Sequence, residues 1–137
     1  MSNLSAFLKP AYLREEKEIV ISKRFVDENG EPVPFKIRSI SQEENEQITK
    51  ASRRQRKVSG TVQEYLDTIE YGRRMVVTGT VFPDFRDKEL CEAYGTLDPM
   101  QVPSKMLQAG EFAALMTAIS ELSGFDTDSP EDEAKNS

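Results

Sequence analysis

The sequence predicts an α+β fold, in which one antiparallel β-hairpin at about residues 18–40 packs against a mainly α-helical domain of about four to five helices. The hairpin is indicated by EIVISKRFVDENGEPVPFKIRSIS, residues 18–41, where two alternating apolar runs flank Asn29-Gly30. Glycine accepts a positive φ without a Cβ clash, so Asn-Gly between such runs is the strongest short-range hairpin signal. The helices are indicated by apolar residues at helical spacing behind capping motifs further along the chain.

The register of the hairpin follows from its apolar face. A three-residue loop over residues 28–30 sets apolar side chains on one common face, whereas a two-residue loop opposes apolar to polar side chains. Because a one-residue slip turns every side chain to the other face, we predict a type I turn with Gly30 in a G1 bulge. Asn29 and Gly30 are therefore predicted to be structural residues. The cross-strand pairs of this register are Phe25–Val33, Lys23–Phe35 and Ile21–Ile37.

Composition restricts the class of protein. The 137 residues, of which 37% are hydrophobic and 31% charged, suffice for one domain with a modest core. The net charge of −6 argues against nucleic acid as a primary partner. Cys91 is the single cysteine, so no intrachain disulfide can form and a reducing cytoplasm is the expected location. No apolar run approaches the roughly 18–20 residues of a membrane span, and the N-terminus lacks the apolar core of a signal peptide, so no membrane partner is expected.

The predicted α+β domain covers residues 1–125. It begins with a short amphipathic arm at residues 2–9, stopped near Pro10. An arm that packs on its own domain is the favoured interpretation, and a docking arm for a partner chain is the alternative. Residues 126–137 are acidic and lack large apolar side chains, so they are predicted to form a disordered tail. The apolar face of the arm consists of Leu4, Phe7 and Leu8.

A basic segment follows the first predicted helix, which starts at the capping box Ser41-Gln42-Glu43-Glu44 and ends near Ser52. Residues 53–60, RRQRKVSG, are predicted to form a mobile loop. A small nucleic-acid-binding regulator that uses the basic run at residues 50–57 is one interpretation. The run has no interleaved aromatic residue and no wider basic face, so a solvated loop is favoured, or one that meets an acidic segment of this or another protein.

The long core helix is predicted at about residues 61–78, behind a second capping box, Thr61-Val62-Gln63-Glu64. Its apolar stripe, which includes Ile69, is the natural cover for the inner face of the hairpin. Gly79 and Pro83 then interrupt the pattern, and a short helix containing Cys91 follows. A buried or half-buried thiol is the favoured interpretation of this cysteine, because no cation or base accompanies it.

The last helix is predicted at residues 111–122, EFAALMTAISEL, which carries a wide apolar stripe. Gly124 fits the left-handed stop of a Schellman motif after it, and is predicted to be structural. A core helix is the favoured interpretation, and a partner-binding groove is the alternative. Together with the N-terminal arm, the candidate partner-binding residues are Leu4, Phe7, Leu8, Met106, Phe112, Leu115, Met116 and Ile119.

The sequence shows no constellation of catalytic or ligand-binding residues. Histidine, the commonest general base and metal ligand, is absent from the chain. The carboxylates fall on helix starts, the turn and the tail, where capping and solubility explain them, and no Gly-rich phosphate loop is present. We therefore expect neither an enzyme nor a metal or cofactor site.

Four segments of the chain resemble, in order, the tail assembly chaperones of PBSX-type prophages and related long-tailed phages of Gram-positive bacteria. The resemblance covers nearly the whole chain and is weakest over the basic residues 53–60. The matching segments are LSAFLK, SKRFVDENGEPVPFKIRSIS, TVFPDF with DKELCEAYG, and MLQAGEFAALMTAISELSGFD.

The resemblance implies a non-enzymatic role in the cytoplasm of a bacterial host. Chaperones of this family bind the tape measure protein, keep it soluble, help tail tube subunits assemble around it, and are absent from the finished particle. The tape measure protein is the implied partner, with the tail tube protein and self-association as further candidates and neither nucleic acid nor membrane expected. The alternatives are a structural tail or baseplate subunit retained in the virion, and the nucleic-acid-binding regulator.

The resemblance also suggests a programmed −1 ribosomal frameshift, because many tail chaperones are made in two lengths. The residues Ala134-Lys135-Asn136 would be encoded by GCA-AAA-AAC if the gene carried the slippery heptamer A-AAA-AAC. Our hypothesis is that this chain is the shorter of two products. The nucleotide sequence decides it, since codons such as GCC-AAG-AAT would remove the slippery site.

Overall fold

The computed structural model of the protein describes residues 3–11 and 14–125. It confirms the predicted α+β class, with small antiparallel sheets and six α-helices in the part of the chain that it describes. A 3₁₀ helix at Pro99–Gln101 precedes α5. The strands are β1 (Glu16–Ile19), β2 (Phe35–Arg38), β3 (Arg53–Val58), β4 (Thr61–Leu66) and β5 (Thr80–Phe82). The helices are α1 (Ser5–Leu8), α2 (Gln42–Ala51), α3 (Thr68–Gly79), α4 (Lys88–Ala93), α5 (Val102–Met106) and α6 (Ala109–Leu122).

The turn that connects the first two strands forms as predicted. The Asp27 amide donates to the Glu31 carbonyl at 2.9 Å, and the Val33 amide donates to the Phe25 carbonyl at 2.8 Å. These bonds enclose a loop of residues 28–30, in which Gly30 has a φ of 78°. The Asp27 carboxylate also accepts the Glu31 amide at 3.0 Å, which fixes the turn from its first residue.

Beyond the turn, the predicted register is wrong. Phe35 lies opposite Ile19, not Lys23, and Ile37 lies opposite Lys17, not Ile21. The chain turns at Ser22, whose hydroxyl accepts the Arg24 amide at 3.0 Å. The segment between β1 and the tight turn therefore leaves the regular pairing of the two strands. Each residue of β2 therefore pairs with a residue of β1 that lies four positions earlier in the chain than the alternation alone predicts.

The sheet has a third strand that the sequence pattern does not predict. β5 pairs antiparallel with β2, so β2 is the central strand of the order β1-β2-β5. Both inward-facing residues of β2, Phe35 and Ile37, are buried. Gly79 and Pro83 indicate a break, but the three residues of β5 between them are enough to complete the sheet.

The segment at residues 53–66 differs most from its prediction. The basic loop predicted at 53–60 is β3 with its turn, and the helix predicted from Thr61 is β4, which pairs with β3 in a separate two-stranded sheet. Ser59 and Gly60 have φ values of 52° and 80°, the signature of a two-residue type I′ hairpin loop. The core helix therefore begins at Thr68, behind an N-cap at Asp67 whose carboxylate accepts the Glu70 amide at 3.1 Å.

The core lies where α3, α6 and the inner face of the β1-β2-β5 sheet meet. Gly79, the last residue of α3, lets Ile119 of α6 approach so closely that a Cβ added at Gly79 would lie 2.6 Å from the Ile119 Cγ2 atom. After α6, Gly124 has a φ of 90°, and the Phe125 amide donates to the Ser120 carbonyl at 2.9 Å in a Schellman motif. The apolar side chains with the least exposure are Phe35, Ile37, Met75, Val76, Val77, Phe85, Val102, Leu115 and Ile119.

Candidate partner-binding surface

The predicted partner-binding residues occupy three different environments. Leu115 and Ile119 are completely buried in the core, so these two side chains cannot meet a partner in this structure. Met106 is also buried, with 8% of its surface exposed, whereas Phe112 and Met116 are half-buried. The arm residues are exposed on or beside α1, at 58% for Leu4, 81% for Phe7 and 70% for Leu8.

Phe112 lies in an apolar groove between the first half of α3 and the segment that joins α5 to α6. Ile69 stands at its edge with 68% of its surface exposed. The groove encloses about 430 Å³. The residues that line this α3–α6 groove are Thr68, Ile69, Gly72, Arg73, Ser104, Leu107, Ala109 and Phe112.

The floor of the α3–α6 groove is made by Gly72 and Phe112. A Cβ added at Gly72 would lie 3.7 Å from the Phe112 Cε1 atom, which is an ordinary van der Waals contact. The missing side chain at Gly72 therefore leaves one edge of the Phe112 ring open to the groove. A flexible aliphatic wall and an aromatic floor form a surface that suits apolar side chains of a partner helix.

One rim of the groove is polar and held in place. The Arg73 Nε atom donates to the Ser104 hydroxyl at 3.1 Å, which connects α3 to α5. Glu70, on the turn below, accepts the Arg74 Nε atom at 2.9 Å and lies 3.9 Å from the Arg73 Nη1 atom. The Arg73 guanidinium lines the groove, whereas Glu70 and Arg74 lie outside it, so one cationic group stands at this rim.

The start of α6 is fixed by an ion pair from the loop that follows β1. Arg24 donates from Nε to the Glu111 Oε2 atom at 3.1 Å, and from Nη2 both to Oε1 at 2.5 Å and to the Met106 carbonyl at 3.0 Å. Glu111 also accepts the Gln108 amide at 2.8 Å, closing the capping box of α6. The hydrogen bonds from Arg24, then from Ser22 and from the Gln108 backbone, lower the pKa of Glu111 to about 2.

A second ion pair fixes the start of α2. Arg38, on β2, donates to Glu44 at 2.9 Å and 2.6 Å in a bidentate arrangement, while the Ser41 hydroxyl accepts the Glu44 amide at 3.2 Å. The hydrogen bond from Arg38 is the largest cause that lowers the pKa of Glu44 to about 2. The predicted capping box at Ser41 is confirmed. It fixes the start of α2, and β3 follows directly after the end of this helix.

β3 and β4 form a second exposed feature, called here the basic hairpin and defined as residues 53–66. All twelve strand residues are exposed, including the four cations of β3. The Arg56 guanidinium lies over the Tyr65 ring at 5.0 Å from its centroid, so an aromatic residue does accompany the basic run. The hairpin joins the body where the Asp67 amide donates to the Ser52 carbonyl at 2.8 Å.

Sequence reasoning missed the α3 side of the groove. Ile69 was assigned to the core stripe of a helix running from Thr61, but α3 starts only at Thr68, so the face that it buries begins at Met75. Gly72 interrupts the apolar spacing of that stripe and lies at the floor of the groove. A signal was available, since the dipeptide Ser59-Gly60 indicates a turn and so separates Thr61 from a continuous helical stretch.

Within residues 3–11 and 14–125, no cluster of three or more acidic or thiol side chains is arranged to bind a metal ion. Over the same residues, the structure contains no helix that is long and apolar enough to cross a membrane. The α3–α6 groove and the basic hairpin are the two exposed features that distinguish this surface.

Comparison with known proteins agrees with a protein-binding surface and identifies the family. The model of the Phage XkdN-like tail assembly chaperone family matches residues 4–135. The chain therefore belongs to the XkdN-like phage tail assembly chaperone family, and the resemblance noted in the sequence is confirmed.

Two proteins of Bacillus subtilis (strain 168) are similar over most of their length. The phage-like element PBSX protein XkdN is 37% identical over 126 residues, which are 89% of this chain and 85% of XkdN. The uncharacterized protein YqbN is 41% identical over 127 residues, with the same coverage of 89% and 85%. The crystal structure of YqbN matches with a TM-score of 0.75 at 36% identity, covering 92% of this chain and 99% of the YqbN chain.

Proposed function

We propose that this chain is a tail assembly chaperone that binds and solubilises the tape measure protein and promotes assembly of the tail tube around it. It acts in the cytoplasm of the bacterial host and leaves before the virion is complete. Membership of the chaperone family supports the general role. The observation that carries the specific role is the α3–α6 groove, whose exposed Ile69 and open Phe112 ring form an apolar site next to a cationic rim.

The proposed ligand of the groove is an amphipathic helical segment of the tape measure protein. Such a helix presents apolar side chains at i, i+3 and i+4, and these would contact Ile69, Leu107 and Phe112. An acidic residue beside that stripe would pair with Arg73. The net charge of −6 on the chaperone would keep the loaded complexes apart in solution.

Replacement of Ile69 by aspartate is expected to weaken tape measure binding without unfolding the chaperone. Ile69 is 68% exposed, so the substitution puts a charge into the groove while changing stability by no more than about 0.5 kcal/mol. The measurement is the soluble fraction of the tape measure protein after co-expression with wild-type chaperone, with Ile69→Asp, or with neither. We expect a high soluble fraction only with the wild-type protein.

Leu97→Asp is the matched control, because Leu97 is 94% exposed and lies outside the groove. This variant should solubilise the partner as well as the wild-type protein does. If the tape measure protein is equally soluble alone, the chaperone role is wrong. If Ile69→Asp retains full activity, the groove is not the binding site.

The alternative, a structural tail or baseplate subunit, differs in what the finished particle contains. Under our proposal, mass spectrometry of purified particles finds peptides of the tape measure and tube proteins, but peptides of this chain only at contaminant level. Particles purified from the same lysate before tube completion serve as the positive control, since bound chaperone should be present there. Stoichiometric peptides of this chain in mature particles would refute the non-virion role.

A further inference from the structure

Both faces of the basic hairpin are exposed to solvent. Neither face of β3–β4 is covered, because every strand residue from Arg53 to Val58 and from Thr61 to Leu66 is exposed. A lone two-stranded hairpin is at best marginally stable in water, so a covering contact would stabilise it. The large apolar side chains left open on it are Val58, Val62, Tyr65 and Leu66, at 41%, 54%, 39% and 38% exposure.

The charge of the hairpin indicates the chemistry of whatever covers it. Four cations on β3 and the single carboxylate of Glu64 give it a net charge of +3, whereas the rest of the chain carries −6 − 3 = −9. Across the described ranges 3–11 and 14–125, no carboxylate forms a salt bridge with these cations. Arg54 bonds only to the Ala51 and Arg53 carbonyls, at 3.0 Å each.

We propose that the acidic C-terminal segment of the same chain, residues 126–137, binds the basic hairpin. This segment carries five carboxylates and one lysine, a net charge of −5 + 1 = −4, which complements the +3 of the hairpin. Its carboxylates pair with the exposed β3 cations, among them Arg56, whose guanidinium lies over the Tyr65 ring. The acidic residues are Asp126, Asp128, Glu131, Asp132 and Glu133.

The place where the segment leaves the body allows this contact. The Ser123 hydroxyl accepts the Ile40 amide at 2.8 Å, so the end of α6 lies beside the start of α2. The ten residues of α2 cover about 15 Å and lead to the base of the hairpin, whose six-residue strands are about 20 Å long. Twelve extended residues reach about 40 Å, enough to pass along α2 and over most of β3.

Each ion pair of this contact is expected to be weak, and the contact as a whole is expected to weaken as the salt concentration rises. Exposed ion pairs are screened over about 8 Å at physiological ionic strength, but a ligand on the same chain is present at a high effective concentration. Glu43 and Glu46 on α2 are exposed and repel the segment near its origin. The distal carboxylates, Glu131 to Glu133, should therefore contribute most.

The experiment compares backbone amide resonances of the full chain with those of two variants. One variant ends at Phe125, and the other keeps the full length with the five segment carboxylates changed to amides (Asp126→Asn, Asp128→Asn, Glu131→Gln, Asp132→Asn and Glu133→Gln). At about 50 mM NaCl we expect both variants to shift the amides of residues 53–66, and we expect the differences to disappear at about 500 mM. The control neutralises five exposed body carboxylates (Glu18→Gln, Glu28→Gln, Glu31→Gln, Glu89→Gln and Glu92→Gln) and should leave hairpin shifts unchanged.

A spin label establishes whether the contact is made within one chain. Cys91 is buried, so a nitroxide attached at Ser137→Cys marks the segment alone and should broaden the hairpin amides of its own chain. Broadening seen only when labelled and unlabelled chains are mixed would overturn the proposal in favour of a second copy. Hairpin amides unchanged by truncation would also overturn it, and a shift of the same amides by a DNA duplex would then make the hairpin a nucleic-acid surface.

Discussion

Leu115→Ala is expected to lower the free energy of unfolding by about 2–5 kcal/mol, the range found for large-to-small changes at fully buried sites. Leu115 has no exposed surface and lies on the face of α6 that packs toward the core. The substitution removes buried methyl groups and leaves a cavity that the helices can close only partly. Urea denaturation followed by circular dichroism measures the change as a lower midpoint at an unchanged slope.

Thr117→Ala is the matched control, because Thr117 is an exposed residue two positions further along α6. A surface change of this kind should alter stability by no more than about 0.5 kcal/mol. A Leu115→Ala protein with wild-type stability but impaired partner binding would restore Leu115 to the partner-binding surface and contradict its place in the core. The pair Leu115→Ala and Ile69→Asp thus separates residues that support the fold from residues that contact a partner.

Gly79→Ala is expected to destabilise the protein by about 1–3 kcal/mol, although alanine is the better helix former. The added Cβ would lie 2.6 Å from the Ile119 Cγ2 atom and 2.9 Å from its Cδ1 atom. Ile119 is completely buried and β-branched, so either its rotamer or the spacing of α3 and α6 must change at a cost. Thermal unfolding by calorimetry measures the loss as a reduced Tm.

Gly110→Ala provides the control, since it makes the same chemical change in α6 at a position with no atom within 4 Å of the added Cβ. It should leave stability unchanged or raise it by up to about 1 kcal/mol. The double variant Gly79→Ala/Ile119→Ala tests the cause, because truncation of Ile119 removes all three contacting atoms. Its cost should be smaller than the sum of the single costs by at least about 0.5 kcal/mol, and strict additivity would show that the clash does not determine the effect.

The elements that sequence patterns predicted well are those fixed by neighbouring residues. The Asp27–Glu31 turn and the Ser41 capping box each depend on hydrogen bonds that span four residues or fewer, and both form as predicted. The long-range pairing of β1 with β2 was mispredicted, because apolar alternation does not show where the chain leaves the strand. In the structure the chain turns at Ser22, and the Arg24 guanidinium in the same segment contacts Glu111, 87 residues away.

The basic hairpin was mispredicted for a different reason. Val62, Tyr65 and Leu66 recur at a spacing that fits a helix as well as a strand, and Thr61 with Glu64 mimics a capping box. The periodicity of apolar residues indicates secondary structure because these residues mark the buried face of an element. Neither face of this hairpin is buried, so its sequence carries no such mark. The positive φ values at Ser59 and Gly60 are then the local feature that favours strands.

The α+β class, the tight turn, the helix start at Ser41 and the resemblance to the tail chaperones could be predicted from the sequence, because each depends on a few adjacent residues or on residue identity. Which apolar residues lie in the core and which stay exposed depends on the tertiary structure. Leu115, Ile119 and Ile69 all belong to helical apolar stripes, but the close approach of α3 and α6 at Gly79 buries the first two and leaves Ile69 at the edge of the groove. Burial depends on where other elements lie, and that information is not contained in the spacing of residues along one helix.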